Sequence, residues 1–276
     1  MALQVYNSKE LIDPEKLRLK ILIHGLHGTG KTSFMGTAPN LGVGVCETGH
    51  GRGIMSIASL GHSACNLNSY NDFEEFCSGI VFKDKDTIGL DSLSDASKTF
   101  IKDKALSIPR AKGESAKRLL GVPELDDYGS MAEITRKNIR KLLNLPQHIV
   151  VTAGLRIDKP DPENGQGEML QGPDLPGQMF LGSTAMFDLV LALRTRAVLR
   201  DPRDAKSRFI ERYYLTDTVG GVLAKNRLTV GEKAISFLPT EVIFDKQTGH
   251  GSFPWLLNEA KTAYAAYLAE NPIVLK

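Results

Sequence analysis

Cysteine is scarce in this 276-residue chain. Cys46, Cys65 and Cys77 form no C-x-x-C pair, and an odd count of three excludes a complete disulfide framework. Small apolar side chains buried in a reducing compartment are the reading that remains. Neither sign of charge is in excess. Lys and Arg number 34 against 32 Asp and Glu, for a net charge of +2. Binding to nucleic acid therefore cannot rest on overall charge and needs local basic patches. No apolar run approaches the roughly 20 residues of a membrane span. The first 20 residues, MALQVYNSKELIDPEKLRLK, contain no apolar core of a signal peptide. These absences point to the cytoplasm and to no membrane partner. There is no internal repeat, and the length suits one large domain with a substantial core.

Apolar runs alternate with amphipathic stretches. Leu19–His24, Leu41–Cys46, a segment within Ile80–Leu90 ending at Asp91, His148–Ala153 and Phe187–Leu193 read as short buried strands. Lys31 to Thr37, Asp72–Ser78 and Tyr128–Leu145 read as helices, and Pro39 helps to end the first. In the third, Met131, Ile134, Ile139, Leu142 and Leu143 form the apolar stripe, opposite Arg136, Lys137, Arg140 and Lys141. Arg208–Leu215 with Gly221–Lys225 suggests a terminal hairpin, and Trp255–Leu268 an amphipathic helix. Strands alternating with helices imply parallel crossovers. The expected fold is α/β: a mostly parallel sheet flanked by helices, with a C-terminal antiparallel hairpin and helix. The expected organisation is a lead-in at 1–18, one α/β domain at 19–250 and a terminal helix at 251–276. Ser107–Asp127 and Gly154–Gly182 lack a regular pattern, as long functional loops do.

Between the first strand and the first helix stands Gly25-Leu26-His27-Gly28-Thr29-Gly30-Lys31-Thr32. It matches the phosphate-binding pattern GxxxxGK[ST] in the strand–loop–helix context the pattern requires. The glycines let successive N–H groups converge on phosphate oxygens, and the helix start adds its dipole. Lys31 is placed to reach the β- and γ-phosphates, and Thr32 to set its hydroxyl on Mg²⁺. The expected nucleotide contacts are Gly25, His27, Gly28, Thr29, Gly30, Lys31, Thr32 and Ser33. The imidazoles of His24 and His27 are incidental to the chemistry. A second metal anchor is expected on a neighbouring strand, and Asp91 in DTIGLDSL follows an apolar run. Asp86 and Asp95 do not directly follow one. Ser92 stands where many ATPases carry a glutamate, so the residue that polarises water must come from elsewhere. Glu47 follows the second strand, at the sheet end that faces the ligand crevice.

This order of parts resembles the RecA-like recombinase and hexameric-helicase ATPases. Most closely it resembles the small phage-encoded RecA-like P-loop ATPases of single-strand DNA annealing and recombination. The likeness runs from the phosphate loop through CETGHG, GLDSLSD and IVVTAG to VLAKNRL, over about residues 19–230. It implies ATP and Mg²⁺ as cofactors, with Glu47 orienting the lytic water and Asp91 holding the metal. It also implies that Lys225 and Arg227 reach the γ-phosphate of a neighbouring subunit. The implied partners are further copies of the chain in a ring or filament, single-stranded DNA, and a phage single-strand-binding protein. The implied place is the bacterial host cytoplasm. Two departures stand out. Thr152-Ala153-Gly154 occupies the region where recombinases place a γ-phosphate-sensing glutamine. A long N-terminal polymerisation segment is also missing. Both favour strand binding or annealing over strand exchange.

Two stretches are locally basic: Lys98, Lys102, Lys104, Arg110, Lys112, Lys117 and Arg118, then Arg194, Arg196, Arg200, Arg203, Lys206, Arg208 and Arg212. The resemblance places DNA-binding loops at Ser107–Asp127 and Gly154–Gly182. Stacking aromatics are sparse there, with only Tyr128 and Phe180 at the borders. Pro173-Asp174-Leu175-Pro176-Gly177 reads as a rigid turn near the nucleotide. Two other functions fit the motifs. The arginines of 194–212 suit the lid of a nucleotide or small-molecule kinase. The Asp91-Ser92 pair suits a nucleotide-binding assembly protein with little turnover.

Overall fold

The computed structural model describes residues 13–47, 52–109, 121–160, 169–230 and 235–271. The first half of the chain carries β1 (Lys20–His24), α1 (Lys31–Met35), β2 (Leu41–Val45), β3 (Ser63–Asn66), α2 (Tyr70–Cys77) and β4 (Thr87–Asp91). Then come α3 (Leu93–Ala96), which runs through one π-helical turn into α4 (Lys102–Leu106), α5 (Leu125–Leu143) and β5 (His148–Ala153). A small hairpin of β6 (Leu155–Asp158) and β7 (Leu170–Pro173) precedes α6 (Met179–Met186), β8 (Leu189–Leu199) and β9 (Arg208–Leu215). Last are β10 (Lys225–Asn226), β11 (Thr229–Val230), β12 (Ile235–Ser236), β13 (Glu241–Ile243) and α7 (Phe253–Glu270).

One nine-stranded sheet organises the molecule, in the order β13-β9-β8-β1-β5-β4-β2-β3, with β10 also on β8. From β8 to β3 the neighbours run parallel, while β9, β10 and β13 join antiparallel. Both faces of β2, β4, β5 and most of β1 are buried, which is why these strands read as largely apolar runs. Alternate residues divide between two cores. Leu22, Ile149 and Val151 pack with Phe73, Phe100, Met131 and Ile139 from the α2–α5 side. Ile21, Ile23 and Val150 pack with Phe34, Tyr214, Phe253 and Leu256 on the side of α1 and α7. Aromatic rings come so close to the sheet that β2 must carry glycine. A Cβ on Gly44 would lie 2.6 Å from the Phe76 ring.

The expected α/β class holds, and the differences have physical causes. Segment 208–215 does not pair with 221–225; its ladder partners are β8 and β13. Period-two patterning reports which face a strand buries, not which strand lies beside it. Residues 80–86 are not strand, and Ile80 is 67% exposed. β3, reading SACN, is a short edge strand with no apolar run to announce it. α5 begins at Leu125 because Glu124 and Asp127 form a capping box, each side chain accepting from the other's backbone N–H. α6 begins inside the stretch read as irregular and runs beyond it; MFLGSTAM is apolar all round and shows no stripe.

Two histidines are locked into the core in the neutral form. His148 Nδ1 accepts the Leu19 N–H at 3.0 Å, and His24 Nε2 donates to the Leu223 carbonyl at 2.6 Å. Burial, reinforced by nearby cations, pulls both imidazoles down to about 4. The unfolded chain takes up these protons near pH 6.5. Their contribution to stability is therefore whole above that pH and shrinks as pH falls towards about 4. Urea midpoints are expected to drop across this window, and His148→Gln should flatten the drop. An equal slope in the variant would count against a buried neutral His148.

Candidate active site

The phosphate loop leaves the carboxyl end of β1 and enters α1. Gly30, the residue before the helix, has φ of +102°, a conformation that suits glycine and strains other residues. Lys31 Nζ folds back onto the Gly25 and Leu26 carbonyls, each at 2.9 Å. Thr29 Oγ1 also donates to the Leu26 carbonyl, at 2.8 Å. Burial pulls the Lys31 ammonium below its usual range, while Asp91, Asp95 and Glu47 push it back up.

Asp91 ends β4, two strands from β1 with β5 between. Asp91 is 5% exposed, and its carboxylate is held from two sides. Thr32 Oγ1 donates to Oδ2 at 2.8 Å, and Thr152 Oγ1 donates to Oδ1. Thr152, at the place of the recombinase glutamine, thus turns to this aspartate. Among the competitors, Asp86 lies at the opposite end of β4, where its carbonyl accepts the His148 N–H. Asp95 receives the Ser92 hydroxyl beside the cavity.

A cavity of about 410 Å³ opens over the loop. His27, Gly28, Gly30, Lys31, Thr32 and Ser33 form its floor; Glu47 enters from the end of β2 and Asp91 from β4. The structure thus gathers most of the expected nucleotide contacts with Glu47 and Asp91. Thr48 to Gly51 of the CETGHG stretch lie outside the described residues, as do Arg110, Lys112, Lys117 and Arg118. Lys225 and Arg227 stand elsewhere. Lys225 Nζ donates to the carbonyls of Thr184, Ala185 and Phe187 at 2.9, 3.2 and 2.9 Å. Arg227 Nη2 donates to Ala185 at 3.1 Å. Both serve the C-terminal end of α6, where orphan carbonyls need donors.

Lys98, Asp174 and Arg212 are among the wall residues that were not expected nucleotide contacts. Lys98 pairs with Asp174. Ser94 Oγ donates to the Asp174 carbonyl at 2.8 Å and accepts the Gly154 N–H at 2.9 Å. The Pro173–Gly177 turn is therefore stitched to α3 and to the end of β5 as a fixed wall. Its proline and aspartate were the available signal. Lys98 and Arg212 were hidden in the basic stretches.

The donor chemistry fits a hard divalent cation. A Thr hydroxyl and an Asp carboxylate supply two oxygens, and Mg²⁺ takes few protein ligands beside phosphate and water. Among the described residues no three His, Cys, Asp or Glu side chains gather to hold a metal by themselves. No described helix is long and apolar enough to cross a membrane.

The AAA domain family model matches residues 17–228, so the chain belongs to that family of P-loop ATPases. Its mostly parallel sheet, with the strand of the phosphate loop separated by one strand from that of Asp91, is the α/β form expected from the sequence. A KaiC-like protein from the archaeon Pyrococcus horikoshii is 13% identical at a TM-score of 0.43, over 82% of this chain and 85% of that one. The flagellar accessory protein FlaH from Methanocaldococcus jannaschii is 12% identical at 0.38, over 87% and 92%. The RadB recombinase is 11% identical at 0.34, over 71% and 79%. No curated protein matches the chain.

The buried Thr152 hydroxyl can be tested directly. Thr152→Val leaves one oxygen of a buried carboxylate without its donor, a loss of about 1–3 kcal/mol. Urea denaturation should show a lower midpoint; wild-type stability would contradict the contact.

Proposed function

We propose that this P-loop ATPase binds and hydrolyses ATP with Mg²⁺. We further propose that it couples turnover to single-stranded DNA in phage recombination, annealing or replication. The contact between Thr32 and Asp91 carries the nucleotide part. It brings the two residue types that hold a phosphate-bound metal to 2.8 Å from sequence positions far apart. When bound, Mg²⁺ would neutralise charge on the β- and γ-phosphates. Asp91 would hold it through water. Thr32 would exchange its aspartate contact for the metal. Lys31 would release the Gly25 and Leu26 carbonyls for phosphate oxygens. Glu47, exposed on the cavity rim, would orient water for attack.

The DNA part is supported by the basic β8–β9 hairpin. β8 pairs with β1 only as far as Ala192, then continues with β9 to Leu199. This arm carries Arg194, Arg196 and Arg208 on its strands, and Arg200, Arg203 and Lys206 at its turn. Cations suit phosphate contacts, which weaken steeply with salt. A ring or filament of copies would bring Arg227 to a neighbour's nucleotide, with Glu47 orienting water in that neighbour. A second reading, a nucleotide-binding assembly protein with little turnover, is favoured by Lys225. Three carbonyls already occupy its ammonium within the chain.

Lys31→Ala should abolish ATP binding in a fluorescent-nucleotide titration. In the wild type, ATPase rate should rise with single-stranded DNA and fall back as salt is added. Binding without turnover, at any DNA concentration, would select the assembly reading. Shared sites make a separate demand. Mixed Arg227→Ala and Glu47→Gln subunits should recover part of the activity that each has lost alone. Failure to recover, with oligomers present by solution mass, would remove the trans role.

A further inference from the structure

The geometry points to Arg212 as a nucleotide-binding residue supplied by the same chain, contacting the α- and β-phosphates from the flank opposite the metal. This rests on the nucleotide reading of the cavity. Arg212 lies on β9, which sits two strands from β1 on the side away from Asp91. With neighbouring strands roughly 4.8 Å apart, the two residues flank the phosphate loop on opposite sides at similar reach. Arg212 leans over the loop itself. A Cβ placed on Gly30 would come 3.0 Å from Arg212 Cδ and 3.2 Å from its Nε. The side chain lines the cavity floored by Lys31 and Thr32.

Charge explains what it could do there. The cavity wall carries four carboxylates, from Glu47, Asp91, Asp95 and Asp174, and three cations, from Lys31, Lys98 and Arg212. Lys31 is engaged by two loop carbonyls, and Lys98 is paired with Asp174. Of the three, Arg212 alone has no side-chain hydrogen bond or ion pair among the described residues; its backbone carbonyl accepts the Phe244 N–H. Other arginines of the same hairpin are engaged. Arg194 donates to Gln171, Arg196 binds Glu211 and Glu241, and Arg200 lies over the Phe209 ring. A polyphosphate entering an acidic cavity needs a cation that costs no existing pair. A guanidinium presents forked donors suited to phosphate oxygens. Thr32 and Asp91 define the side on which a metal would be held and would neutralise phosphate charge. The opposite flank faces the phosphates that ATP and ADP share.

Fluorescent-nucleotide titration of wild type, Arg212→Ala and Arg212→Lys tests this. Arg212→Ala should weaken ATP and ADP alike by about tenfold or more, the size of one charge-assisted contact. Arg212→Lys should restore part of the loss. Thermal stability without nucleotide should be unchanged, because the side chain is exposed and unpaired. Wild-type affinity in Arg212→Ala would overturn the assignment. So would a loss confined to ATP, since that places the contact at the γ end. If the wild type binds neither nucleotide, the underlying reading of the cavity fails instead.

Discussion

The carboxylate of Asp91 is the constraint on which the site turns. The residue is almost wholly buried, and a buried carboxylate must be supplied with donors. Thr32 and Thr152 supply them, one from the start of α1 and one from the end of β5. A single side chain thereby locks three elements in register: its own strand β4, the strand β5 beside it and the phosphate loop. The parallel ladders from β4 through β5 to β1 set the depth at which this happens. A one-residue slip of β4 would turn Asp91 to the opposite face of the sheet.

The two halves of the sheet divide the work. The parallel half has its inner strands buried on both faces, and its carboxyl ends make the nucleotide crevice. The antiparallel half leaves that plan. β8 begins as a core strand beside β1 and ends as an exposed arm paired only with β9. Its first five residues are buried and its outer ones bear charge. The arm therefore approaches the cavity with Arg194 and Arg212 near its base and carries Arg196, Arg200, Arg203, Lys206 and Arg208 outwards. Meanwhile β10 runs back along the foot of β8, where Lys225 and Arg227 hold the end of α6. Residues close in sequence at the end of the motif order are thus turned away from the loop of their own chain.

Much of this was legible from composition and local pattern. β1, β2, β4 and β5 announced themselves because strands buried on both faces place apolar residues at consecutive positions, with polar ones mostly at their ends. The phosphate loop was legible because its glycines, lysine and threonine act within one turn of chain. Asp91 was legible because a polar residue directly after an apolar run marks the carboxyl end of a buried strand. β3, α6 and the partner of β9 were not legible. An edge strand, a helix apolar on every side and a pairing choice leave no periodic trace.

Residue types and short-range spacing decided that this chain has a phosphate loop, a parallel core and an acidic strand end. These depend on backbone geometry within a few residues. Folding in three dimensions decided which side chains face that loop. Thr152 was drawn to Asp91, Asp174 was pinned as a wall, and Arg212 was laid over Gly30 by strand order. Contacts between distant segments arise from how sheets and helices pack, and no local stretch of chain carries that information.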